Sequence, residues 1–404
     1  MDVPEGCYSY LAQNIKKNVS VPVFAANRIN DPVVAEEILM AGHADAACIG
    51  RGLIADPYLP KKTKEGNLRD IMYCVGCNQG CFDNVFLMKP ITCLRNPRAA
   101  NEEKTELNPI EETKKIMVVG AGPGGLEAAR VARMRGHEVH VFEKTDTIGG
   151  LLNVIWIPPG RHEFVRMIEN YNYWIQKLGI QMHYDTEVDL DTVKEFDPDA
   201  VFLATGASPI KVPIPGIDQD HVYHANDALS GDAPIGDNSV IIGGGATGIE
   251  LAIYIAKYGS LDPDEFEFLT FYDALKVNDA LEMMYKGNKN VTVLEKLPKC
   301  GANLGKTTKW VLLEKCEKLG VDIQTSVNVE EIGPDLVRFS DSEKEDHVLE
   351  NVDAVYYATG VKSNDDLYKP IRKLKIPVKK IGDARKPATV LDATERAYRD
   401  ANRI

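Results

Sequence analysis

Twice along this sequence an apolar run opens into a glycine-rich loop, continues as a helical pattern and returns as a second apolar run that ends on glutamate. The first copy reads Lys115-Ile-Met-Val-Val119, Gly120-Ala-Gly-Pro-Gly-Gly125, a helix over Leu126–Arg135, and His137-Glu-Val-His-Val-Phe142 before Glu143. The second reads Ser239-Val-Ile-Ile242, Gly243-Gly-Gly-Ala-Thr-Gly248, a helix through Lys257, and Val291-Thr-Val-Leu294 before Glu295. A strand joined to its neighbour through a helix lies parallel to it, so both copies demand an α/β fold with helices covering the sheet. In the first loop Gly120 permits the tight turn, Gly122 lets the backbone approach a pyrophosphate, and Gly125 lets the helix pack on the strand. The helix N-terminus then turns its partial positive charge toward phosphate. Glycine turns also occur as plain structure. Here strand, helix and terminal acid agree, which is the dinucleotide-binding pattern.

Glu143 follows the first loop at the distance expected of a ribose acceptor. The second loop uses Gly243, Gly245 and Gly248, and its acid is displaced by an insertion over residues 258–290, acidic and mostly helical in pattern. A carboxylate at Glu295 would repel a 2′-phosphate and favour NADH over NADPH. The alternative is a solvated strand end, with Lys296 beside it. Two matching strand-plus-turn segments, Ala200-Val-Phe-Leu-Ala-Thr-Gly206 and Ala354-Val-Tyr-Tyr-Ala-Thr-Gly360, follow the two loops and point to nested nucleotide domains. Ile381-Gly-Asp383 precedes a final helix over 389–404, where Gly382 and Asp383 could offer an N–H and a carboxylate to a flavin's ribityl chain. The expected division is 114–212 and 352–404 for the first domain, with 213–351 inserted in it.

Ahead of the first loop stand Cys74, Cys77, Cys81 and Cys93, spaced C-x2-C-x3-C-x11-C. Three thiols within eight residues make a compact loop suited to a cubane [4Fe–4S] cluster, which the fourth closes from the far side. Structural zinc more often takes two separated C-x2-C knuckles, and a metal-free loop is the third alternative. The other cysteines, Cys7, Cys48, Cys300 and Cys316, are scattered and read as reduced thiols. A one-electron centre beside a two-electron carrier suits a chain that passes electrons between them.

Residues 20–51 read as strand, helix, strand, with Val21–Ala26 and Asp45–Gly50 as the apolar runs. The strands finish in Asn27-Arg28 and Gly50-Arg51, a pattern that fits the phosphate site of a (β/α)8 barrel. Arginine at a strand end is also common without one. The net charge of −13 disfavours nucleic acid and anionic membrane as partners. No apolar run approaches the ~20 residues that span a bilayer, and the first residues lack a basic, apolar leader, so a cytoplasmic location is expected.

From about residue 8 onward the chain resembles the C-terminal part of the 2,4-dienoyl-CoA reductase and 2-enoate reductase family. These are iron–sulfur flavoproteins related to old yellow enzyme and trimethylamine dehydrogenase. The resemblance rests on Gly50-Arg-Gly-Leu-Ile-Ala-Asp-Pro57, Cys74-Val-Gly-Cys-Asn-Gln-Gly-Cys81, Ile91-Thr-Cys-Leu-Arg-Asn-Pro97 and the two glycine loops, in that order. It implies the last two strands of an FMN-type TIM barrel at 1–70 and an iron–sulfur segment with a linker at 71–113. An FAD-binding Rossmann-like domain with an inserted NAD(P)-binding Rossmann-like domain would follow.

By the resemblance, Cys74, Cys77, Cys81 and Cys93 ligate a [4Fe–4S] cluster. Gly120, Gly122, Gly125, Glu143, Gly382 and Asp383 bind FAD; Gly243, Gly245, Gly248 and Glu295 bind NADH or NADPH; Arg28, Gly50 and Arg51 hold the FMN phosphate. Asn27 stands where the family has glycine, and asparagine accepts a positive φ. Electrons would pass from NAD(P)H through FAD and the cluster to FMN, and as hydride to the C=C bond of an enoate or enoyl-CoA. About six of the eight barrel strands are not in this sequence, and the family's tyrosine and histidine proton donors belong to them, so no catalytic residue is assigned here. A separate barrel subunit is one expected partner. The competing expectations are a diaphorase-like electron-input subunit, similar to the small subunit of glutamate synthase, and an inactive gene fragment.

Overall fold

In the computed structural model, which describes residues 3–107, 110 and 112–404, the N-terminal segment holds two short parallel strands, β1 (Phe24–Ala25) and β2 (Ala46–Ala47). Met1 and Asp2, and residues 108, 109 and 111 of the expected linker, lie outside the described residues. The helix between the strands, Pro32–Met40, begins at an Asp-Pro pair. Asp31 accepts a hydrogen bond from the Val33 N–H at 2.8 Å and Pro32 opens the first turn. Ala25, Ile29, Ala35 and Ile38 form a small core beneath it. Residues 71–97 run as loop around one short helix, Phe82–Phe86.

The rest of the strands follow in chain order. They are β3 (Lys115–Val119), β4 (Glu138–Phe142), β5 (Gln181–His183), β6 (Ala200–Leu203) and β7 (Ala207–Pro209). Next come β8 (Val222–His224), β9 (Asn238–Ile242), β10 (Asn290–Glu295) and β11 (Asp322–Thr325). Then β12 (Asn328–Ile332), β13 (Leu336–Ser340) and β14 (Asp346–Glu350) form an antiparallel sheet, followed by β15 (Ala354–Tyr357), β16 (Val361–Ser363) and β17 (Val378–Lys380). Two compact units result. One comprises residues 1–156, 160–208 and 362–404; the other comprises 157–159 and 209–361.

The first unit carries a parallel five-stranded sheet of order β17-β6-β3-β4-β5. Ile116, Val118, Val139 and Phe202 are fully or nearly fully buried, as strands covered on both faces must be. The helix Pro123–Arg135 is buried from Gly124 through Ala132, and its small residues Gly124, Gly125, Ala128, Ala129 and Ala132 let neighbours approach closely. A Cβ on Gly124 would lie 2.9 Å from Ile381 Cγ2. The last helix, Val390–Ala401, joins the same core through Ala397, Tyr398 and Ala401.

The second unit repeats the design with order β11-β10-β9-β15-β8, also parallel. Here one expected boundary is corrected. β15, expected in the second half of the first domain, pairs with β9 and β8 and belongs to the inserted sheet. Each strand-plus-turn segment completes the sheet of its own glycine loop, so the insertion runs from 209 to 361 rather than from 213 to 351. The segment 258–290 forms two helices, Pro263–Phe271 and Val277–Tyr285, with Phe268, Phe271, Tyr272 and Tyr285 exposed. Among the described residues no helix is long and apolar enough to cross a membrane.

Candidate cofactor sites

The four clustered cysteines line one pocket, together with Arg51 and Arg95. Positive φ at Gly76 (62°) and Asn78 (61°) curls the first loop around its own sulfurs, and the Gly76 N–H points at Cys74 Sγ at 3.4 Å. Gly80, which the sequence reading passed over, lets the fourth cysteine close the ring. A Cβ there would sit 2.4 Å from the Thr92 carbonyl oxygen, and the Thr92 N–H donates to Gly80 at 2.7 Å. Its one sequence signal is a glycine immediately before Cys81.

Burial raises all four thiols above their ordinary range. Cys93 is pushed up to about 11, although backbone N–H groups of Arg95 and Asn96 oppose the rise. Cys77 is raised further by burial and by the neighbouring Cys93. For Cys74 and Cys81 burial again dominates, opposed by backbone N–H groups and by the Arg51 charge. Such thiols become thiolates when a metal replaces their protons.

Among the described residues the one group of three or more potential ligand atoms lying within 4.8 Å of one another is Asp341, Glu345 and His347, on an exposed hairpin. Four thiols lining one pocket are a donor set that fits an iron–sulfur cluster.

The first glycine loop sits at the C-terminal ends of β3, β6 and β17, where the strand order reverses between β3 and β6. That crevice is the ligand position of open α/β sheets. Gly120 has φ 102°, and a Cβ on it would lie 2.4 Å from the Ala204 carbonyl oxygen. On Gly125 a Cβ would lie 2.0 Å from the Gly120 carbonyl oxygen, while Gly122 faces open space. Glu143 is buried. Its Oε2 accepts from the Ala121 N–H at 2.8 Å, and its Oε1 from the Thr145 N–H and Oγ1 at 3.1 Å. Gly382 (φ 56°) and Asp383 close the crevice at the end of β17. Burial raises the Asp383 carboxyl, and its Oδ1 accepts from the Ala388 N–H at 3.1 Å. The cysteine loop is built into this unit, since Val75 and Leu94 share one core with Ala121 and Leu126 of the glycine loop and its helix.

The second loop repeats these contacts. A Cβ on Gly248 would lie 1.9 Å from the Gly243 carbonyl oxygen, and one on Gly243 2.7 Å from that of Ala358. Glu295 accepts from the Gly244 N–H at 2.6 Å and the Leu297 N–H at 2.7 Å, and it is buried. It is therefore not a solvated strand end. Gly245 stands beside Asn303, whose Oδ1 accepts from the Ala246 N–H at 2.9 Å.

The N-terminal arginines divide. Asn27 and Arg28 adopt positive φ, 81° and 56°. The Arg28 side chain is buried in an ion pair with Glu163, and its Nε donates to the Val3 carbonyl at 2.7 Å. The expectation that Arg28 binds phosphate is corrected: a cation buried this deeply needs a carboxylate, and it has one. Arg51 stays at the cysteine pocket, donating to Asn78 at 2.8 Å and lying over the Phe82 ring, while Gly50 is exposed beside it. Removing Glu163 strands the Arg28 charge. Glu163→Ala is expected to lower unfolding stability by about 3–5 kcal/mol, read from urea midpoints, and an unchanged midpoint refutes the buried pair.

Comparison with known proteins follows the same division. The profile of the pyridine nucleotide-disulphide oxidoreductases matches residues 114–385, which include both glycine loops. The chain belongs to the pyridine nucleotide-disulphide oxidoreductase family. Ahead of that region, residues 5–70 of this oxidoreductase match the NADH:flavin oxidoreductase / NADH oxidase family. A metal reductase of Desulforamulus reducens is 39% identical over 407 residues, covering 99% of this chain and 60% of the relative. A cinnamate reductase of Clostridium sporogenes is 28% identical, covering 99% and 56%. The solved 2-naphthoyl-CoA reductase complex aligns with a TM-score of 0.89 at 34% identity, covering all of this chain and 57% of that one. The oxidoreductase chain thus spans a little over half the length of these relatives. The resemblance to the 2-enoate reductase group is borne out.

Proposed function

We propose that this chain is the electron-input portion of an NAD(P)H-dependent flavin oxidoreductase that reduces an activated C=C bond. The observation that carries the reading is the shared core of the cysteine pocket and the first glycine loop, which holds the four cysteines and that loop in one unit. When bound, FAD would accept one hydride and release its two electrons singly, and a [4Fe–4S] cluster would carry them one at a time toward an FMN. Cys74, Cys77, Cys81 and Cys93 would hold the cluster. Gly120, Gly122 and Gly125 would receive the FAD pyrophosphate, Glu143 its ribose, and Gly382 and Asp383 its ribityl chain. Gly243, Gly245 and Gly248 would receive the nicotinamide dinucleotide. Gly50 and Arg51 would contribute to the FMN phosphate site of a complete barrel, supplied by a longer polypeptide or a separate subunit. An enoate or enoyl-CoA substrate is favoured by the relatives that act on cinnamate and 2-naphthoyl-CoA.

Glu295 supports a preference for NADH, because its buried carboxylate would face the 2′-phosphate of NADPH without a cation bonded to it. In Glu295→Gln the ratio of kcat/KM for NADPH over NADH is expected to rise roughly ten-fold, since like-charge contacts of this kind cost one to several kcal/mol. An unmoved ratio overturns the assignment. The reading as a whole is tested by anaerobic purification with flavin, iron and sulfide analysis. One FAD and about four irons per chain support it, with NADH-driven reduction of a dye but not of an enoyl substrate. Zinc in place of iron refutes it.

A further inference from the structure

We propose that Arg95 sets the reduction potential of the centre held by the four cysteines, an inference that rests on the iron–sulfur reading above. Arg95 lines the cysteine pocket and is only 5% exposed. It is two residues beyond Cys93, its backbone N–H bonds the Cys93 sulfur, and its charge reaches that sulfur. The guanidinium's direct contacts are neutral. One amino group donates to Asn170 Oδ1 at 2.5 Å, the group lies 5.7 Å from the Tyr171 ring centre, and Nε has no partner.

Among the described residues no carboxylate pairs with Arg95. Glu127 is the acid whose charge reaches it, and Glu127 is committed elsewhere. It accepts two hydrogen bonds from Arg130, at 2.6 and 2.9 Å, and one from the Tyr171 hydroxyl at 3.3 Å. The buried set of Glu127, Arg130 and Arg95 therefore keeps one uncancelled positive charge. Guanidinium does not shed its proton, so burial cannot neutralise it. An isolated buried cation is costly, and what this one lacks is an anion.

The cysteine pocket supplies that anion. Four thiolates around a [4Fe–4S] core give a dianion, and one added electron makes it a trianion with no proton taken up. A fixed cation beside the centre stabilises the more negative form, and net charge is one of the levers that set such potentials. Removing the cation should lower the potential. Releasing Arg130 from its acid should raise it.

The experiment is an anaerobic redox titration of the purified holoprotein, with dithionite as the electron donor and the cluster's optical and EPR signals as readout. Arg95→Gln is expected to shift the one-electron equilibrium toward the oxidised centre by about ten-fold, which is about 59 mV downward. Arg95→Lys, which keeps the charge, should stay near the parent value, and Glu127→Gln should move upward. Opposite shifts from the two charge changes are not the signature of general loosening. Full iron content with an unmoved midpoint in Arg95→Gln overturns the role of Arg95 and leaves the cluster reading intact; so does an equal shift in Arg95→Lys. Absence of iron from the parent protein overturns both. Should Arg95→Gln fail to fold, an unmoved or lowered midpoint in Glu127→Gln is the refuting result.

Discussion

Cys77→Ser yields a chain that has lost its iron yet still oxidises NADH with a dye as acceptor. The Cys77 thiol is raised by burial and by the sulfurs around it. Only a bound cation makes such a group a ligand, and a serine hydroxyl there would remain protonated and bind iron poorly. Iron content should fall from about four per chain to near zero, with loss of the broad visible absorption of the cluster. The fold should survive, because the core around this loop is supplied by Val75 and Leu94, which the substitution leaves in place. Retained iron in Cys77→Ser, or loss of dye reduction in step with the iron, shows that the quartet is not a separable metal site.

The two glycine loops should fail separately. In Gly125→Ala the added methyl would arrive 2.0 Å from the Gly120 carbonyl oxygen, and in Gly248→Ala 1.9 Å from that of Gly243. Both obstacles are backbone, so the loop itself has to move. Overpacking of this kind costs about 1–3 kcal/mol, which corresponds to roughly 5- to 150-fold in affinity if it falls on the bound state. Gly125→Ala should therefore purify with little flavin. Gly248→Ala should keep its flavin and bind NADH weakly, as seen in the KM for NADH during dye reduction. Flavin loss from Gly248→Ala, or normal flavin content in Gly125→Ala, reverses the assignment of the two loops.

The glycine loops and their strands were readable from the sequence to within a residue or so. Strands such as Lys115–Val119 are buried on both faces and so form unbroken apolar runs, and the glycines mark where no side chain fits. Sheet membership was not readable. Ala354–Tyr357 is as apolar as any strand of either sheet, and its pairing with Asn238–Ile242 is a long-range choice that local pattern does not encode. The same limit hid the partner of Arg28, which lies 135 residues away at Glu163. It also hid the buried surroundings of Arg95, made by Asn170 and Tyr171 on a helix well beyond the cysteines. Glu295 was visible as an acid at a strand end. That its two oxygens tie Gly244 and Leu297 in place is a property of the folded loop.

The hydroxyl of Thr394, on the final helix, donates to the Leu94 carbonyl beside the cysteines at 2.9 Å, across 300 residues of chain. Translation at about 5–20 residues per second puts roughly 15–60 s between the appearance of these two residues. The inserted unit, nearly all of it one continuous stretch from 209 to 361, is complete as a chain within that interval. The cysteine loop is not. It stays without its closing helix until Thr394 has been made, so this contact forms only after the whole inserted unit has been synthesised.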